Sequence, residues 1–170
     1  MGGEDRKAPT RSLWLSSGDV VVMGGAARLA WHGIDRVIVL LDGDGVRLQS
    51  PAGIDHRLDT PLEPFAFSGD EALDCTLLGG PSQDFNVMTR RSALRAQVTV
   101  LQDAHLITPA PRGLLLAVRG RWALHTDDGA DPTCDAGQGL WWYGQPHGGR
   151  VTPLAAGAAL LWVRLDPSGA

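Results

Sequence analysis

Apolar and polar positions alternate in short runs along the chain, and turn residues close nearly every run. Gly18-Asp19 precedes Val20-Val21-Val22-Met23, Gly24-Gly25 interrupts it, Arg28 to His32 resumes, and Val37-Ile38-Val39-Leu40-Leu41 follows Gly33 and Asp35. Such runs predict strands. Others are predicted at Val46 to Gln49, His56 to Leu58, Asp74 to Leu78, Arg95 to Leu101, Leu114 to Val118, Trp122 to His125, Leu140 to Trp142, Val151 to Leu154 and Leu160 to Leu165. Arg95-Ala96-Gln97-Val98-Thr99-Val100 alternates strictly, as a strand with one wet face does. Asp42-Gly43-Asp44-Gly45 predicts a hairpin connection, because Asp-Gly supplies the positive φ of tight primed turns. One helical turn is predicted, Ser82 to Arg91, with Asp84 as cap and two arginines at the favourable C-terminal end. Thr108-Pro109-Ala110-Pro111-Arg112-Gly113 reads as a linker. The pattern is that of an all-β sandwich or barrel.

Composition narrows the function classes. The chain has 170 residues, enough to bury a core without staples, and its 22 Gly and 11 Pro imply many turns. Fifteen Lys and Arg against 19 Asp and Glu give a net charge of −4, which argues against general binding to nucleic acid or to an anionic membrane. The N-terminus is polar to Arg11 and lacks a secretory apolar region, and no apolar run is long enough to span a bilayer, so a cytoplasmic protein is expected. Cys75 and Cys134 have no partner at metal spacing and read as free thiols.

The densest chemistry lies after Leu78-Gly79-Gly80-Pro81. There Asp84, Asn86, Arg90 and Arg91 offer a carboxylate, an amide and two guanidiniums within a few residues, a set suited to a small carboxylate ligand. In a helical turn Asn86 and Arg90 share a face, so Arg90 is expected to meet the ligand and Arg91 to pair with Asp70 or Asp84.

Gly80-Pro81-Ser82-Gln83-Asp84-Phe85-Asn86-Val87-Met88-Thr89-Arg90-Arg91, with Gly33-Ile34-Asp35-Arg36, Leu40-Leu41-Asp42-Gly43-Asp44-Gly45, Gly139-Leu140-Trp141-Trp142 and Leu161-Trp162-Val163-Arg164-Leu165, resembles the HutD/Ves family from Gly33 onward. The resemblance implies an RmlC-like cupin, a double barrel or jelly roll, with no established catalysis. It also implies a sensor or modulator of histidine utilisation that binds an acidic metabolite such as formylglutamate or urocanate. The family's Trp-Lys-Asn-Gly-Gly-Gly-type motif and Phe-Asp-Trp-Arg strand do not appear, so the N-terminal half is expected to be truncated or substituted. Residues 1–11 are then a disordered tail, 12–103 an incomplete N-terminal half, and 104–170 the C-terminal half. Leu15 to Ile34 is instead similar to a stretch of AlkB-type iron- and 2-oxoglutarate-dependent dealkylases, in which the residue at His32 is an iron ligand. The alternatives to a sensor are thus a remnant dealkylase fused to a HutD-like domain, or a fusion without function.

A facial iron triad needs two His and a carboxylate. No His-x-Asp precedes His32, and His125-Thr126-Asp127 with His147 is better read as a hairpin end, so neither metal nor cofactor is expected. Ser82 stands in no nucleophile elbow. Trp122, Trp141, Trp142 and Trp162 are assigned to the core, except that Trp141 and Trp142, being adjacent on a strand, must face opposite ways. An incomplete half would leave an open sheet edge, and open edges recruit a second copy. Light scattering at high concentration should therefore report a homodimer; a clean monomer would count against a sticky edge.

Overall fold

The computed structural model describes residues 12–14, 20–23, 32–126, 129 and 131–169. The tail assigned to 1–11 and most of the dioxygenase-like segment, apart from the short strand at Val20–Met23 and its last residues, lie outside these. The described residues form fourteen strands in three sheets. The first sheet has five strands, in the order β1 (Ser12–Trp14), β2 (Val20–Met23), β8 (Ser82–Arg90), β3 (Ile34–Gly43), β6 (Pro64–Ser68). The second has three, with β4 (Val46–Gln49) between β5 (Asp55–Leu58) and β7 (Asp74–Leu77). The third is six-stranded: β12 (Thr133–Asp135), β11 (Arg121–Thr126), β13 (Gly139–Pro153), β10 (His105–Arg119), β14 (Ala159–Pro167), β9 (Leu94–Leu101).

Period-two alternation explains how these sheets stack. On β3, Ile38 and Leu40 join Val46, Leu48, Leu58 and Leu73 in a core between the first two sheets, forming an N-terminal barrel. The intervening Val39 faces the other way and packs with Phe85, Val87, Leu161, Val163 and Leu165, which locks that barrel onto the outer face of the six-stranded sheet. The inner face of the third sheet buries Leu115, Trp122, Leu124, Val151 and Leu160, with Trp142 and Trp162 packed against them. β9, although it precedes residue 104, pairs along its whole length with β14.

Three local expectations are corrected. Ser82 to Arg90 is a strand and not a helical turn: nine residues of β8 pair with β3, and an amphipathic stretch this short takes its conformation from its neighbours. Asp42-Gly43-Asp44-Gly45 does not close a hairpin, because β3 and β4 belong to different sheets. Gly43 (φ 95°) and Gly45 (φ 82°) instead turn a corner from one wall of the barrel to the other, and a Cβ at either would strike backbone of Pro81 or Leu58. The supposed linker at Thr108 to Gly113 is the middle of β10, where the register slips between Ile107 and Ala110 and again between Ala110 and Arg112. Prolines that cannot donate to a ladder sit at those irregularities, where pairing is already broken.

Adjacent Trp141 and Trp142 do face opposite ways. Trp141 is 60% exposed, whereas Trp142 packs on the core and its indole N–H donates to the carbonyl of Ala110 at 2.7 Å. Phe85 is the large side chain that β8 contributes to the seam between the halves. Phe85→Ala should lower unfolding free energy by about 3–5 kcal/mol, read as a fall in urea midpoint with little change in slope.

Candidate functional site

Alternation on β8 sends Phe85 and Val87 into the seam and Asp84 and Asn86 into the N-terminal barrel. On β3 the same rule turns Arg36 inward with Ile38 and Leu40. Arg36 is 7% exposed and Asn86 2% exposed, so a charged and an amide side chain are enclosed in an apolar shell. Arg36 Nη2 donates to Asn86 Oδ1 at 3.0 Å, and Asn86 Nδ2 donates to Asp84 Oδ2 at 3.1 Å. The guanidinium carbon lies 4.8 Å from the Phe67 ring centre, a cation–π contact. Phe67 continues into Phe65 at 5.7 Å, and Phe65 is stacked on His56 at 3.7 Å with 7° between the planes. Half-buried Cys75 enters from β7, opposite Leu48.

These charges are under-compensated. Arg36 Nε is buried with no hydrogen-bond partner. Burial pulls the Arg36 guanidinium below its usual pKa, and the negative charge of Asp84 only partly offsets this. Burial also pushes the Asp84 carboxyl up, against the hydrogen bond from Asn86 and the charge of Arg36. The Cys75 thiol is raised mainly by burial, then by Asp84, so it is not an activated nucleophile. A buried cation held by a neutral amide and one aromatic face costs stability.

The arginines singled out from the chain pattern lie elsewhere. Arg90 ends β8, exposed, and forms no ion pair among the described residues. Arg91 is committed to the barrel rim: Nε donates to Asp35 Oδ1 at 2.7 Å, Nη1 to Asp70 Oδ2 at 2.7 Å and Nη2 to Ser68 Oγ at 2.7 Å. Gly33 N also donates to Asp70 Oδ1 at 2.6 Å. The structure thus brings Asp84 and Asn86 together with Arg36, which the chain pattern did not single out. Its signal was present: in a strand, Arg36 shares parity with Ile38 and Leu40.

Elsewhere the chemistry is sparse. A cavity in the C-terminal half, lined by Ile107, Leu115, Leu124, Trp142 and His147, has room for about one water molecule. His125 pairs with Asp131 at 3.0 Å, while Asp127 lies outside the described residues. No group of three metal-ligating side chains occurs among the described residues, nor a helix long and apolar enough to cross a membrane.

Comparison with known proteins gives a consistent answer. The family model HutD matches residues 14–162. Protein Ves of Escherichia fergusonii is 33% identical over 116 residues, covering 68% of this chain and 58% of that protein. The match therefore spans somewhat more than half of that relative's length. A conserved protein of unknown function, PA5104 from Pseudomonas aeruginosa PAO1, superposes with a TM-score of 0.80 at 26% identity, covering 94% of this chain and 89% of that one. HutD from Pseudomonas fluorescens SBW25, solved in a formate condition, gives 0.76 at 21% identity, with the same coverage. A cupin 2 conserved barrel domain protein from Leptotrichia buccalis gives 0.58 at 10%, covering 98% and 92%, a likeness of fold. The resemblance of residues 15–34 to dioxygenases is not borne out: the family match begins at residue 14, and β2, from within that segment, pairs with β8 in the first sheet.

Hydrogen bonds from Arg91, then from Gly33 N, hold the Asp70 carboxyl at about 2, below its ordinary 3.8. A depressed carboxylate stabilises the fold above its unfolded pKa and loses that contribution as pH falls through its folded one. Asp70→Asn should therefore melt below the parent at neutral pH. The gap should narrow from pH 3.8 downward and close near pH 2, as followed by thermal denaturation across acid pH.

Proposed function

The chain belongs to the HutD family, and we propose that it is a non-catalytic small-molecule-binding protein, a sensor or modulator in histidine utilisation, whose N-terminal barrel takes a small carboxylate on Arg36. The observation that carries this reading is Arg36, a residue only 7% exposed, whose buried Nε has no hydrogen-bond partner. A carboxylate can accept from that edge and supply the negative charge the barrel withholds. Asn86 holds the guanidinium in place through the neighbouring Nη2. Phe65, Phe67 and His56 form a wall of planar rings beside it.

Among the described residues neither Cys75 nor Ser82 stands as an activated nucleophile: Cys75 is pushed toward its neutral form, and Ser82 Oγ accepts from Gly45 N at 2.7 Å at the barrel corner. The lone charge pair with its amide bridge suits recognition rather than turnover. We propose a cytoplasmic location for the protein.

Arg36→Gln decides the reading. Formate, acetate and urocanate should each raise the melting temperature of the parent protein and leave that of the variant unchanged. The unliganded variant should still fold but melt about 2–4 °C below the parent, since Asp84 loses its nearby cation and Phe67 its cation–π contact. Arg90→Ala should retain most of the response. Loss of the response in Arg90→Ala with retention in Arg36→Gln would move the site to the strand end.

A further inference from the structure

The six-stranded sheet has an edge that its own strands leave open. At the start of β13, residues 139–143 pair on one side with residues 112–116 of β10. On the other side β11 reaches only residues 149–153, so no ladder partner stands beside 139–143 among the described residues. An open strand presents unpaired backbone N–H and C=O groups to any strand laid against it, and edges are normally blunted by brevity, proline or charge. The other sheet edges among the described residues are blunted in these ways. β1 and β12 are three residues long and β7 four, β5 carries Asp55 and Arg57, β6 begins with Pro64, and β9 carries Arg95. The open part of β13 has neither charge nor proline. No Asp, Glu, Lys or Arg occurs between Asp135 and Arg150, and the first proline, Pro146, lies beyond the open residues.

The side chains on this edge are large and apolar. Trp141 is 60% exposed and Tyr143 53%. Alternation puts both on the outer face of the sheet together with Gly139, since Trp142 between them packs on the inner core. Arg112, one strand in, steadies the Tyr143 ring with its guanidinium carbon 4.8 Å from the ring centre. The order of residues then suits one partner in particular, a second copy of the same edge. Antiparallel pairing about a two-fold axis at Trp141 sets that residue opposite the partner's Trp141, and Tyr143 opposite the partner's Gly139. Each tyrosine ring covers a glycine beside the central indoles, and no like charges meet. We propose that residues 139–143 are a homodimer interface, in which two copies join β13 to β13 across a two-fold axis at Trp141. This edge belongs to the C-terminal half, and the proposal does not rest on the reading of Arg36.

Sedimentation equilibrium of the full chain over a range of micromolar concentrations provides the test. Wild type should sediment as a dimer. Trp141→Lys should weaken dimerisation by about tenfold or more, because it opposes two like charges at the axis in place of two indoles. Leu106→Lys, at a comparably exposed apolar position of the same sheet, should leave the dimer unchanged. An equimolar mixture of Trp141→Lys and Trp141→Glu should recover dimers, since the two new side chains face each other in the centred register. Tyr143→Lys is a second disruption at the same edge, read in the same way if Trp141→Lys does not fold. A monomeric wild type would overturn the proposal and leave the edge to a strand of another protein. A dimer that survives the substitutions at Trp141 and Tyr143, or a charge-paired mixture that stays monomeric, would overturn it as well.

Discussion

Strand β8 is packed on both faces, and the two faces have opposite demands. Phe85 and Val87 are closed into the seam against Leu161, Val163 and Leu165, so the strand cannot shift or rotate without opening that seam. A one-residue slip would also exchange the faces, sending Asp84 and Asn86 into that apolar seam. The polar residues of the barrel are therefore held in place by hydrophobic packing on the opposite face of the same strand. Pairing of β8 with β3 then sets Ile38 opposite Asn86 and Arg36 opposite Met88, which brings the guanidinium within reach of the amide on the diagonal.

That arrangement carries an energetic penalty which the surrounding structure must tolerate. A guanidinium in an apolar shell is stabilised by a bidentate carboxylate where stability alone is served. Here it has an amide, a phenyl face and an open donor. The contrast with Arg91 is instructive. At the solvent-exposed rim, where a salt bridge contributes little, Arg91 has two carboxylates and a hydroxyl. Inside the barrel, where partners matter most, Arg36 has none that is charged and in direct contact. Such a distribution is expected of a binding site whose last partner arrives from solution.

The rim network has its own geometric role. Arg91 joins the end of β3 through Asp35, the turn after β6 through Asp70 and Ser68, and its own backbone N–H reaches the carbonyl of Gly33 at 2.8 Å. Three strands that line the barrel are thus tied at one end. The opposite end is fixed by the Gly43–Gly45 corner, which passes the chain from one sheet to the other without a pairing hairpin. Between these two ties the side chains of Arg36, Asn86 and Phe67 have a rigid frame, as a preorganised site requires.

Local pattern was enough to establish an all-β fold class, as the described residues show, because alternation and turn residues report on single strands without reference to partners. It placed the four residues of β4 correctly, showed that Trp141 and Trp142 must part company, and carried the family motif around Asp84 and Asn86. It failed where conformation or role depends on distant neighbours. Ser82 to Arg90 reads as a capped helical turn until β3 supplies its ladder, and Thr108 to Gly113 reads as a linker until two bulges absorb its prolines. Arg36 is separated from Asn86 by fifty positions, and only the tertiary fold brings them to one face of one barrel. Sequence alone determined which groups the protein possesses and the strand periodicity that sorts them into faces. Tertiary structure decided which arginine is enclosed and which is spent at the rim, because burial and charge pairing are properties of surroundings that no single stretch of chain contains.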